Sequence, residues 1–120
     1  MLLADNWYYS LWHNPSTRPT IEQLAASFDV FACSVGDCDD SFDFVYYQNA
    51  QLVRKYVVTD PHFRGGSVTE DVGKPFPAES DILANTSNQL TMVLKLASSL
   101  GIKTDYKDHD LRIYVPPDAN

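Results

Sequence analysis

The chain has 120 residues, a formal net charge of −7 and a sequence pI of about 4.6. This length predicts one domain over residues 1–120, long enough to bury a core without a metal ion or a disulfide. The acidity excludes the usual nucleic-acid binder, which contacts phosphate through basic residues, and a binder of anionic membranes. It is compatible with a basic protein partner, because complementary fields speed association.

The first predicted elements are a strand and a short helix. The aromatic-rich residues 7–12 favour a strand. Thr20 and Gln23 form a T-x-x-Q capping box, which predicts a helix over residues 21–27. The inward side of this helix is expected to carry Ile21, Leu24, Ala25 and Phe28.

The middle of the chain predicts strands. Residues 29–34 indicate one strand, and residues 42–47 and 52–58 indicate two more, joined as a hairpin. Neither face of the hairpin is wholly polar, which places it inside a sheet. Residues 59–78 are rich in Gly and Pro and predict a loop, within which residues 67–72 are expected to add an edge strand.

The last third predicts helices and a final strand. Residues 79–84 favour a short helix, and Thr86 with Gln89 forms a second capping box. Apolar residues then recur at helical spacing up to Gly101, a C′ glycine. Residues 111–115 predict the last strand. The order β-α-β-β-β-(β)-α-β predicts an α+β fold, a mostly antiparallel sheet of about four to six strands with two packed helices.

No complete catalytic or cofactor motif is present. The three histidines lie far apart, and no H-E-x-x-H, C-x-x-C, P-loop, G-x-S-x-G or G-x-G-x-x-G pattern occurs. Cys33 and Cys38 are too widely spaced for the redox C-x-x-C motif, and a reduced pair is the favoured interpretation, with a bridge left open. We therefore expect no enzyme activity, cofactor or metal site.

The densest polar cluster is an acidic turn. Its start, D-x-D, resembles a calcium loop, but Phe42 and Gln48 stand where that loop needs Gly and Glu. The turn therefore predicts a recognition patch for a basic partner, with loose divalent-ion binding or a solvated turn as alternatives. Tyrosines expected to be exposed complete the predicted partner-binding set, because aromatic residues dominate binding hot spots. The set is Asp37, Asp39, Asp40, Asp43, Tyr47 and Tyr9.

The basic pair Arg54-Lys55 lies among apolar residues of a predicted strand. Cross-strand pairing with acids such as Asp43 is the favoured interpretation, and anion binding is the alternative. Two acids that converge in space could also form a glycosidase-type pair. The residues to examine for such a pair are Glu70, Asp71 and Glu79.

The central block, residues 28–102, combines an acidic α+β pattern, an aromatic hairpin over residues 42–56 and a G-x-P-x-P-x-E loop over residues 73–79. In this style it resembles small bacterial immunity proteins encoded beside polymorphic or contact-dependent toxins. The resemblance implies a cytoplasmic protein that binds one cognate toxin and occludes it. It assigns a role to no residue, because it contains no diagnostic motif.

Three functions remain open from the sequence. The first is a protein-binding module, an immunity-type inhibitor of a basic toxin. The second is a small enzyme or ligand-binding domain with a cleft at residues 61–78. The third is a homo-oligomeric structural module. The N-terminal residues lack a basic segment and a long apolar stretch, and no window reaches the apolar length of a membrane helix, so a cytoplasmic location is expected.

Overall fold

The computed structural model describes residues 1–5, 18–36, 40–60 and 66–104. Within these ranges five strands form one sheet and three helices accompany it. The strands are β1 (Leu2–Asp5), β2 (Val30–Val35), β3 (Phe42–Gln48), β4 (Gln51–Thr59) and β5 (Ser67–Gly73). The helices are α1 (Arg18–Ala25), α2 (Glu79–Asn85) and α3 (Gln89–Ser99).

The sheet is mostly antiparallel, with the spatial order β1-β2-β3-β4-β5. Strands β2 to β5 pair antiparallel with their neighbours, whereas β1 pairs parallel with β2. Helix α1 lies between these two strands in the chain, as a parallel connection requires. The predicted α+β class and the mostly antiparallel sheet are confirmed. The predicted strands at residues 7–12 and 111–115 lie outside the described residues.

The sheet has an apolar cluster on each face, because its strands alternate apolar side chains on both sides. The larger cluster faces α3 and includes Phe31, Phe44 and Leu96, each 0% exposed. The Phe31 and Phe44 rings stack with centroids 5.6 Å apart. The smaller cluster packs against α1 and includes Ile21 and Val45. The hairpin β3–β4 is therefore covered on both sides, as its pattern predicts.

Both predicted helix starts are wrong by a few residues. Helix α1 begins at Arg18, so Thr20 lies inside the helix and does not cap it. Pro19 suits this earlier start, because its fixed φ is compatible with a first helical turn. At α3 the cap is Asn88, whose Oδ1 accepts the Thr91 N–H at 2.9 Å. Asn is at least as good an N-cap as Thr, so the later start prevails.

The end of α3 follows the prediction. Gly101 has a φ of +81°, and its N–H donates to the carbonyl of Ser98 at 3.0 Å. The N–H of Ile102 reaches back to the carbonyl of Ala97 at 3.1 Å. These two bonds form a Schellman motif, which needs a left-handed residue at C′.

One predicted inward position is exposed: Phe28 follows α1 in a turn and is 52% exposed. Leu90, the first apolar residue of α3, is also exposed, at 51%. The buried stripe of α3 is instead Met92, Val93, Leu96 and Ala97. The apolar spacing of α3 fits more than one stripe, and contact with the sheet selects which one is buried.

The β3–β4 hairpin turns tightly at Asn49-Ala50. Both residues have positive φ, 54° and 61°, which is the two-residue turn that matches strand twist. The Ala50 N–H donates to the carbonyl of Ala25 at 3.1 Å, so the turn also joins the end of α1. Asn adopts this conformation readily, whereas for Ala it is strained.

Candidate functional site

The predicted acidic patch is only partly available to a partner. Asp37, Asp39 and Tyr9 lie outside the described residues. Asp40 is half-buried, whereas Asp43 is 0% exposed. Asp43 alternates with Phe42 and Phe44 along β3 and shares the face of Val45, toward α1. Its burial conflicts with a role in a surface patch, so it is left out of any contact surface.

Tyr47, the other predicted contact residue, lies at the margin of the smaller cluster. Its side chain is half-buried and packs against that cluster. Burial raises the pKa of the Tyr47 hydroxyl, and the negative charge of Glu22 adds to the effect. Tyr47 therefore serves partly as packing and offers a limited area to a partner.

The most extensive polar arrangement in the described residues is centred on Arg54. Its side chain is 1% exposed, because it projects from β4 toward α2, which covers that side of the sheet. Nε donates to Glu79 Oε1 at 3.0 Å, and Nη2 donates to Glu79 Oε2 at 2.8 Å. This is a bidentate pair, in which a planar guanidinium matches a planar carboxylate.

The remaining donor of Arg54 binds β5. Nη1 donates to a carboxylate oxygen of Asp71 and to the carbonyls of Val72 and Gly73, at 3.1 and 3.2 Å for the carbonyls. The guanidinium carbon also lies 5.2 Å from the ring centroid of Tyr56, within range of a cation–π contact. Arg54 therefore fastens α2 and β5 to the middle of the sheet.

The charges around Arg54 stabilise its ionised form. The hydrogen bonds that Arg54 donates to Glu79 raise the pKa of Arg54 above its ordinary value, although burial acts in the opposite direction. The pKa of the nearby Tyr56 hydroxyl is raised too, first by burial and then by the negative charges of Asp71 and Glu79. The Phe76 N–H is 3.5 Å from Glu79 Oε1, so the same carboxylate supports the loop before α2.

The acids considered for a glycosidase-type pair are occupied by bases. Glu79 and Asp71 both bind Arg54, and Glu70 binds Lys55 with an Nζ–Oε1 distance of 3.0 Å. To attack or protonate a substrate, each would have to break these bonds. The prediction that Arg54 and Lys55 pair with acids across neighbouring strands is confirmed. The acids are Asp71 for Arg54 and Glu70 for Lys55, both on β5.

A groove opens beside β5, between the sheet and the connection from α2 to α3. Its volume is about 270 Å³, and its rim includes the polar residues Thr86 and Gln89. The remaining lining residues are mainly apolar. They are Phe42, Tyr56, Val58, Gly66, Val68, Leu83 and Met92. No carboxylate, histidine or cysteine stands among these lining residues, so the groove favours apolar contact over acid–base chemistry.

Strand β5 forms one edge of the described sheet. All seven of its residues are exposed, including Val68 at 52% and Val72 at 47%. Unpaired backbone groups on such an edge can pair with another strand, and natural proteins usually protect them. The groove and the exposed edge are continuous, because Val68 belongs to both.

The described ranges contain neither a candidate metal site nor a candidate membrane-spanning helix. In these ranges no group of three or more His, Cys, Asp or Glu residues could hold a metal ion. Nor does any helix within them have the length and apolarity to cross a membrane.

Comparison with known proteins gave no match. Scans against protein-family models, curated proteins and solved structures each found nothing similar to this chain. The resemblance to immunity proteins therefore stays a prediction, and the function has to be argued from the geometry.

The edge strand and a cleft at residues 61–78 were predicted from the sequence, whereas the Arg54–Glu79 pair was not. The pair joins residues 25 apart in sequence, and no local pattern links them. Its weak signals were an Arg among apolar strand residues and a Glu that follows a Pro-rich loop. The groove includes Gly66 and Val68 of the segment where a cleft was predicted, but its other lining residues come from outside that segment, because they depend on how α2 and α3 are placed over β4 and β5.

Proposed function

We propose that this chain works by binding another protein, as an immunity-type inhibitor that occludes a basic target in the cytoplasm. The observation that carries the proposal is β5, a strand whose seven residues are all exposed, with two large apolar side chains, beside a groove lined mainly by apolar residues. A strand edge with exposed valines is an aggregation hazard unless a partner covers it. The proposed binding surface therefore comprises β5 and the groove.

The charge of the chain supports a basic partner. The whole chain carries −7, and Asp40, which is half-buried, leads into Phe42 at the end of the sheet where the groove lies. Val58 and Val68, paired with each other, belong to the same end. The exposed carboxylates of Glu70 and Asp71 on β5, beside the groove, also favour a basic protein, and charge complementarity speeds its capture.

The test is an affinity pull-down from native lysate at low and high salt, followed by mass spectrometry. We expect one stoichiometric basic protein that is lost as salt rises. Asp40→Lys is expected to weaken retention, whereas Glu22→Lys, an equal change of charge on exposed α1, serves as the matched control. If nothing is retained at either salt, or both variants behave alike, the proposal of a basic protein partner fails.

The groove also favours a second candidate, the binding of a small apolar ligand. Its volume of about 270 Å³ lies just below the range of typical ligand pockets. A small-molecule screen followed by NMR on the Met92 methyl group would separate the two functions. Saturable binding of a small apolar compound, with no protein retained in the pull-down, would favour the ligand.

A further inference from the structure

Strand β5 presents its acids outward and hides the bases that pair with them. Asp71 is 55% exposed, whereas Arg54, which binds it, is 1% exposed. Glu70 is 43% exposed and its partner Lys55 is 18% exposed. Each of these two acid–base pairs has no net charge. Because the carboxylates are more exposed than the bases, the edge of β5 presents negative charge to an approaching chain.

The register decides which side chains of β5 face the groove. Val68 pairs with Val58 and Asp71 pairs with Tyr56, while Glu70 pairs with Val57. A shift of register between Val57 and Val58 leaves one extra residue on β5. Val68 therefore lines the groove, whereas Val72, opposite Lys55, lies on the other face of the sheet.

We infer that β5 and the groove bind an extended, basic segment of the partner by strand addition, an inference that rests on the proposed protein-binding function. The backbone of the segment pairs with the outer edge of β5, and one apolar side chain enters the groove beside Val68. Backbone pairing supplies affinity in this mode, and side-chain pockets supply selectivity. The groove, about 270 Å³, suits the side chain of a single anchor residue better than a large cofactor.

The charge on β5 argues against a second copy of this chain as the occupant. Glu70 is the middle residue of Ser67–Gly73, so in the antiparallel two-fold register that overlaps the whole strand Glu70 lies opposite its own copy. Like charges directly opposite each other destabilise a strand pair. A segment with Lys or Arg at these positions gains the opposite interaction with Glu70 and Asp71.

The test is a selection of displayed random peptides of about 10 residues, long enough to cover one strand. Selection uses the purified chain, and the enriched peptides are then synthesised and titrated. We expect sequences that alternate apolar and polar residues and carry Lys or Arg. In the ¹⁵N-labelled chain, the amide signals of Ser67–Gly73 should shift on binding.

Two arginine variants locate the site. Val68→Arg places a charge in the groove and should weaken peptide binding about tenfold or more. Phe28→Arg adds the same charge at the same exposure, 52%, but in the turn after α1, outside β5 and the groove, and should change affinity less than about threefold. Both positions are exposed, so both variants should fold, which circular dichroism checks. Two further peptides carry methyl groups on alternate backbone nitrogens, one on the odd positions and one on the even positions. The peptide whose methylated nitrogens face β5 should lose binding, and the other should keep it.

Several results would overturn the inference. These are no enrichment, enrichment without basic residues, equal effects of Val68→Arg and Phe28→Arg, shifts confined to other surfaces, or dimerisation through β5 without peptide. Failure here is distinguishable from failure of the proposed function. A basic protein retained equally by the native chain and by Val68→Arg refutes strand addition and leaves protein binding intact, whereas an empty pull-down refutes the function itself.

Discussion

Neutralising Glu79 should destabilise the fold far more than neutralising a similar acid on the surface. Glu79→Gln preserves the side-chain shape but removes the charge from a bidentate pair with Arg54, in which both side chains are nearly inaccessible, at 4% and 1% exposure. Breaking a buried pair from one side typically costs 3–5 kcal/mol, because the other charge stays buried. Asp71 still binds Arg54, and Gln can still accept one bond, so we expect a loss of about 3 kcal/mol.

The assay is urea unfolding at pH 7, followed by circular dichroism at 222 nm, with a linear extrapolation to water. The matched control is Glu70→Gln, which removes the same charge from the surface pair with Lys55 and should cost less than about 1 kcal/mol. Arg54→Met combined with Glu79→Leu should recover most of the loss, because the double variant removes both buried charges and leaves neither without its partner. Equal costs for Glu79→Gln and Glu70→Gln would refute the reasoning that burial makes the Arg54 pair decisive.

Three further perturbations test the fold. Gly73→Ala should lower the free energy of unfolding in urea by at least about 3 kcal/mol, because a Cβ there meets the Val53 carbonyl oxygen at 2.1 Å. Gly101→Ala, where a Cβ meets open space at a φ of +81°, should cost about 1 kcal/mol. Similar losses for the two variants would contradict the steric argument. Ala50→Gly should raise the unfolding free energy by about 0.5–1 kcal/mol, since it relieves a φ of 61°, and a lower midpoint would refute the strain. Burial raises the pKa of the Tyr46 hydroxyl, so the folded state holds this proton more tightly, and stability should fall as pH rises above about 10, less steeply in Tyr46→Phe; parallel curves for both proteins would refute it.

Local patterns predicted much of the fold. Alternation defined β3 and β4, the turn between them followed from its length, and Gly101 marked the end of α3. Boundaries failed where two caps competed, as at Thr86 and Asn88, since both residue types can accept a bond from the first helical turn. Strand β1 was missed, because four residues carry too little pattern to indicate pairing.

The candidate site was less predictable. The acids near Arg54 were singled out as possible catalysts, yet the structure makes them partners of one buried base. The acidic turn suggested a patch of four carboxylates, and strand alternation alone could not tell whether Asp43 faced solvent or the packed side of the sheet. Burial depends on what covers a face, which residues distant in sequence decide.

The sequence by itself determined the α+β class, the hairpin, the edge strand and the acidity of the chain. Each follows from the local spacing of apolar residues, from the residue types in turns or from a count of charges, and none of these depends on contacts between distant parts of the chain. Only the tertiary structure decided that Arg54 meets Glu79 across 25 residues, that Asp43 is buried and that Val68 opens into a groove. These features depend on how the helices pack over the two faces of the sheet, α1 on the face of Asp43 and α2 and α3 on the other, and packing of surfaces distant in the chain leaves no local signature.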